Sequence, residues 1–404
     1  MMYRISKLLA IGALVICAAC SSDEVVDSYS EHGADYDKLM LAKSAELLDM
    51  ELVNLGTADF PTLCHSMAKR IDGVDLDGNA VFVEAIIDIG ELMFDGETAD
   101  CYFEELMKLT FDKEYYCNVL ISEGFGVWQW NQDIEDFEKI AEHESEIQFV
   151  FPSADGDDTD NAILSVSEIV FFNGAFPGKG DELTDGTIVN AALEALKLNI
   201  RINDKLVLSS NVLASFNDEG YYNDVAMTFN PQPYYLRCEL AREDENAYWM
   251  FSFNRNEEVI LSHDLVLGLN NKNTEDPVRS LANQLRIDDV VFNTEAANAE
   301  LYAELLKVDE LEKGTKNHAE AMVMALNNYA TMDVRYVSNN AIIAKAEAVA
   351  KRTESDIDEW WVDLELEFSD ASRMSSEVYF DDYLANFKVE LEQLVAEFES
   401  KFGI

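Results

Sequence analysis

The chain has 404 residues, with 79 Asp and Glu against 29 Lys and Arg, and a formal charge of −50 at pH 7. That charge excludes nucleic acid as a partner, since phosphates would be repelled rather than neutralised, and it opposes lying flat on an anionic bilayer. Apolar residues make up 48% of the chain, with 22 Phe and 16 Tyr, so the acids have not displaced a core and the chain reads as globular rather than as an acidic disordered tail.

The first element is a targeting segment. Arg4 and Lys7 form a positive head, Leu8 to Ile16 is an unbroken apolar and small-residue run, and Ala18-Ala19-Cys20 closes it. This is the grammar of a secretory signal peptide, too short to span a bilayer. A cysteine directly after two alanines resembles the lipobox of bacterial lipoproteins, with one departure: Cys17 stands where that family most often has Leu. The resemblance implies cleavage before Cys20, diacylation of its thiol and acylation of the new amino terminus. Cys17 is the rival site. It has Leu14 in the favoured place, but the bulky Ile16 would then flank the scissile bond, where the peptidase takes Gly, Ala or Ser. Ser21-Ser22-Asp23-Glu24 resembles the export tag of Bacteroidota-type lipoproteins, which implies display on the outer face of the outer membrane. On this reading residues 1–19 are a signal peptide and 20–33 a lipidated acidic tether. Loss of Arg4 and Lys7 with the signal lowers the formal charge from −50 to −52.

Residues 34–114 have a helical apolar period. Phe60, Leu63, Cys64, Met67, Ala68 and Ile71 share a face between the start signal Asp59-Phe60-Pro61 and the stop at Gly73. Phe82, Ala85, Ile86, Ile89, Leu92 and Met93 form another such face, and Thr98 to Leu109 a further helix. Across residues 115–273 the period becomes two. Leu196, Leu198, Ile200 and Ile202 alternate with Lys197, Asn199, Arg201 and Asn203, and Tyr234 to Leu240 and Ala247 to Phe253 repeat the pattern between turn clusters. Such spacing predicts an antiparallel β-meander of roughly eight to ten strands, one face buried and the other wet.

Residues 274–404 return to helix, with a start at Asp276-Pro277, another after Thr294 (Ala297, Leu301, Leu305, Val308) and a third through Met322, Ala325, Leu326 and Tyr329. Val362, Leu364, Leu366 and Phe368 alternate with acids as a late strand, and Asp381-Asp382 open a terminal helix. The fold class expected is α+β, a long antiparallel sheet packed by N-terminal and C-terminal helices.

Chemistry-bearing motifs are scarce. The sequence has no G-x-S-x-G, Walker A loop, G-x-G-x-x-G or H-E-x-x-H. Asp155, Asp157, Asp158, Asp160 and Asn161 cluster, but Asp160 stands where a calcium loop needs Gly and Val166 where it needs the bidentate Glu; Asp75 to Asn79 fails likewise. No metal or cofactor is expected. Cys64, Cys101, Cys117 and Cys238 remain after processing, with three pairings open. Trp128 and Trp130 lie two apart on an expected strand and so share a face, either in the core or as a stacking platform for a ligand such as a sugar ring.

The function expected is that of a non-catalytic, lipid-anchored surface lipoprotein, a binding or structural accessory whose only membrane contact is its lipid. Its candidate partners are a glycan, an apolar ligand or another surface protein. The alternatives are a surface glycan hydrolase with an unrecognised carboxylate pair, and a carrier of a lipid or other apolar ligand. The carrier reading comes from architecture alone: a helix-capped meander resembles the half-barrel of periplasmic lipoprotein carriers.

Overall fold

A computed structural model describes residues 28–56, 125–134, 136–154, 159–171, 193–216, 222–243, 245–269, 278–296, 299–352, 359–376 and 378–379. The signal, Cys20, the tag at Ser21, Ser22, Asp23 and Glu24, the helical faces expected from 60 to 109, Cys64, Cys101, Cys117, the acidic turns at 75–79 and 155–158, and the terminal helix lie outside these residues. The described residues form sixteen strands and three helices, a strongly β-rich fold. The chain divides into two compact units, Met1–Leu52 with Arg242–Phe253 and Glu257–Glu390, and Val53–Ala241 with Asn254–Asn256 and Leu391–Ile404.

The second of these carries strands β1 (Gly126–Asn131), β2 (Asp136–Ala141), β3 (Ile147–Phe151), β4 (Ala162–Phe171), β5 (Leu193–Ile202), β6 (Lys205–Phe216), β7 (Tyr222–Pro231) and β8 (Tyr234–Glu243). From β3 to β8 each strand pairs antiparallel with the next. Asn203 and Asp204, both with positive φ, make the two-residue turn between β5 and β6, the backbone twist that joins strands most tightly. The expected alternation holds in β5: Leu196, Leu198 and Ile200 are buried and Arg201 is exposed. The expectation of a wholly antiparallel meander needs one correction. β1 lies between β2 and β3 and runs parallel to β3. The chain between β1 and β3 spends itself on the β1–β2 hairpin, and this excursion is long enough to return β3 alongside β1 in the same direction.

The other unit carries β9 (Asn246–Arg255), β10 (Glu258–Leu269), β11 (Val278–Ile287), β12 (Val290–Ala296), β13 (Thr331–Tyr336), β14 (Ile342–Arg352), β15 (Trp360–Phe368) and β16 (Arg373–Ser375), with helices α1 (Ala34–Gly56), α2 (Ala299–Asp309) and α3 (Lys316–Tyr329). Its strands are hydrogen-bonded in chain order. Here a second correction applies: the helix expected from Asp276-Pro277 is β11. Leu281 and Leu285 fit either period, but Ile287-Asp288-Asp289-Val290 closes a two-residue hairpin with Asp288 at φ 55°, and the inward position between the leucines is taken by the buried Asn283. The two later helices and the late strand form as expected. α3 starts where the Thr315 side chain accepts from the His318 N–H.

On one face of this sheet Val290, Phe292, Met332, Val334, Tyr336, Ala344, Leu364, Leu366 and Phe368 are buried. α1 meets that face. Its buried positions Ala34, Asp37, Leu41, Ser44, Ala45, Leu48 and Glu51 follow a helical stripe. The polar members are tied: Tyr336 donates its hydroxyl to Asp37 Oδ1 (2.8 Å), and Ser44 Oγ lies 3.1 Å from the Tyr379 hydroxyl. Burial and the neighbouring Asp37 carboxylate raise the Tyr336 pKa. α3 completes an edge. β13 is shorter than β14, and the Asn327 amide both donates to the Ala348 carbonyl and accepts from its N–H, at 2.9 Å each, in the manner of a missing strand residue. Among the described residues no helix is long and apolar enough to cross a membrane.

Candidate functional site

Three places in the described residues concentrate chemistry-bearing side chains. The first is the aromatic rim of β1–β3. Register sets its composition: Trp130 is opposite Phe137 on β2, and Trp128 is opposite Lys139 on β2 and Phe149 on β3. Paired residues share a face, so two indoles, two phenyl rings and one ammonium gather on one side. Phe137 makes edge-to-face contacts with Trp130 (5.3 Å) and Phe149 (5.0 Å), and Lys139 Nζ stands 5.8 Å from the centre of the Trp128 ring. Both indoles are half-buried and pack against the cluster of Ile147, Phe151, Leu164, Val166, Leu198 and Ile200. They form the margin of a core, with part of each ring in water.

The structure brings Trp128 and Trp130 together as their spacing predicts, and adds Phe137, Lys139 and Phe149. Phe149 could have been read from its alternation with Phe151. Phe137 and Lys139 join only through the hairpin register, which no local pattern announces. Of the acidic turn, Asp160 is described; its Oδ2 accepts from Gln129 Nε2 (2.7 Å). Cys238 sits half-buried on β8.

The second place lies on the polar face of β14–β16. Asp363, fully buried, accepts from Ser375 Oγ and Lys351 Nζ at Oδ2 and from Ser376 Oγ at Oδ1, each at 2.6 Å. Lys351 also donates to Ser375 Oγ (2.9 Å), and Ser376 Oγ accepts from the Leu364 N–H. A serine beside a lysine suggests nucleophilic chemistry. Here the ammonium is committed to a carboxylate and has no free lone pair to take the serine proton, while both carboxylate oxygens are occupied. The group is self-satisfied and ties three strands together. No local pattern announces it, because its members meet across strands.

A third polar centre is internal. His263 on β10 contacts Asn283 Oδ1 through Nε2 and meets Trp249 edge-on at 4.7 Å. Desolvation lowers its pKa to about 4, against the hydrogen bond that Nε2–H donates to Asn283 Oδ1, which acts the other way.

No family model matches the chain, and no curated protein matches it. Among solved structures it is similar to a porin-like protein from Bacteroides uniformis ATCC 8492, at 9% identity over 54% of this chain and 89% of that one, with a TM-score of 0.12. That likeness is too slight to bear on fold or function.

Proposed function

We propose that the protein is a lipoprotein, held to the outer membrane by lipid on Cys20 and facing the exterior, where it acts as a non-catalytic binding or structural accessory. The observation that carries this reading is how soon after Cys20 the described chain is held. Ser28–Ser30 is already fixed to β14, with Ser30 N–H donating to the Ile342 carbonyl (2.8 Å) and Ile342 N–H to the Ser28 carbonyl (3.1 Å). The chain is therefore held against β14 within eight residues of the lipobox-like Cys20. Several acyl chains hold a protein firmly where one holds it marginally, so the Cys20 thiol decides the outcome. Cys20→Ala releases the protein into the soluble fraction. Retention of Cys20→Ala on membranes, with release of Cys17→Ala, would overturn the assignment.

A second reading, carbohydrate stacking on Trp128 and Trp130, is favoured by the part of each ring that the core leaves in water. Weakened binding of Trp128→Ala to an immobilised glycan, at unchanged folding, is its test.

A further inference from the structure

The helix-bearing unit has two unlike ends. At one end the strands are joined by tight turns: Asp288-Asp289 between β11 and β12, residues 337–341 between β13 and β14, and 369–372 between β15 and β16. At the other end the connections are long: 270–277, the stretch 297–330 that holds α2 and α3, and 353–359. Ser28–Ser30 docks at Ile342, the first residue of β14, and so at the tight-turn end. The seat is firm. Tyr29 donates to the Glu367 carbonyl (3.4 Å), Lys345 Nζ lies 6.0 Å from the Tyr29 ring centre, and Gly33, at φ 85°, turns the chain into α1. Lys38 then fastens the first turns of α1 to Ser372 in the β15–β16 turn (2.7 Å).

We propose that the tight-turn end of this unit faces the membrane, and that the end bearing α2 and α3 points away from it. This rests on lipidation at Cys20. Eight residue steps separate Cys20 from Ser28, and at full extension they reach at most about 29 Å. β14 alone, with 11 residues, is about 36 Å long. A body turned over would have to place its attachment point a strand's length from the bilayer, beyond the tether. Glu31, Asp35 and Asp370 are exposed at the attached end, so repulsion from anionic lipid keeps this end standing off rather than lying down.

The test uses the full, lipidated chain in vesicles that contain acceptor-labelled lipid. A donor dye is placed at Val337, 39% exposed at the tight-turn end, or at the exposed Glu312 between α2 and α3. Energy transfer from the Val337 dye should exceed that from Glu312 about twofold or more, because the two ends differ by the length of a strand. Inserting about twenty flexible residues after Glu24 should abolish the difference, since such a linker reaches past either end. Equal or reversed transfer in protein whose mass carries the lipid would overturn the orientation and leave the anchor standing. A chain that carries no lipid mass and stays soluble would overturn both.

Discussion

Asp363 permits a quantitative test of how the polar face of β14–β16 is held. The carboxylate is fully buried and receives three donors, while the Lys351 side chain keeps 31% of its surface in water. Removing one member of a buried ion pair costs roughly 3–5 kcal/mol. Partial exposure of Lys351 lets it turn to solvent when its partner is gone, which lowers the figure for Asp363→Ala to about 2–4 kcal/mol. Lys351→Met leaves the carboxylate buried without its ammonium partner, and about 3 kcal/mol is expected. The double variant should lose less than the sum of the two singles by about 1–3 kcal/mol, the coupling typical of contacting charged partners. Urea unfolding of the four proteins at one pH and salt measures each midpoint and slope. Additivity within about 0.5 kcal/mol would refute the reasoning: the pair would then be a neighbourhood rather than an interaction, and the serines alone would hold the carboxylate.

Ile200, 2% exposed in β5, should not tolerate charge: Ile200→Asp is expected to cost several kcal/mol or prevent folding, while Arg201→Asp on the wet face stays within about 1 kcal/mol; equal thermal midpoints would remove the assigned register. Trp130→Ala should cost about 2 kcal/mol, roughly half the value for a fully buried Trp, and an unmoved melting temperature would take it out of the core margin. His263 has its folded pKa lowered to about 4 from 6.5, so its contribution to stability is complete above pH 6.5 and is lost as the pH falls towards 4. His263→Gln should flatten that part of the acid limb of a stability–pH curve, and an unchanged slope there would contradict the burial argument.

Much of the strand pattern was legible because one face is apolar. β5, β8, β9 and β15 announce themselves by alternation. Where the inward face carries a polar residue the signal fails, as at Asn283 in β11, and Leu281 and Leu285 then pass for one side of a helix. β14 shows the opposite conflict. Ala-Lys-Ala-Glu-Ala-Val-Ala-Lys (344–351) is rich in the best helix former, yet its alanines line one face of a strand whose edge is met by Asn327 of α3. Neither the ladder register that assembles the rim around Trp130 nor the cross-strand setting of Asp363 leaves a local mark, since both depend on which residues end up opposite.

The polar stripe of α1 acts as a key cut for one slot. Asp37, Ser44 and Glu51 recur every seven residues, two turns of helix, and the first two meet Tyr336 and Tyr379. A wholly apolar stripe could slide along the sheet by one turn, about 5.4 Å, exchanging one leucine contact for another. Here the same slip sets Leu41 or Leu48 under a phenol and strands two buried hydroxyls, at about 1–3 kcal/mol each. Even the lower bound makes the displaced seat some thirtyfold rarer. The helix is thereby indexed like a bolt in a detent, and any replacement sequence that keeps its greasiness but not its seven-residue beat should rattle.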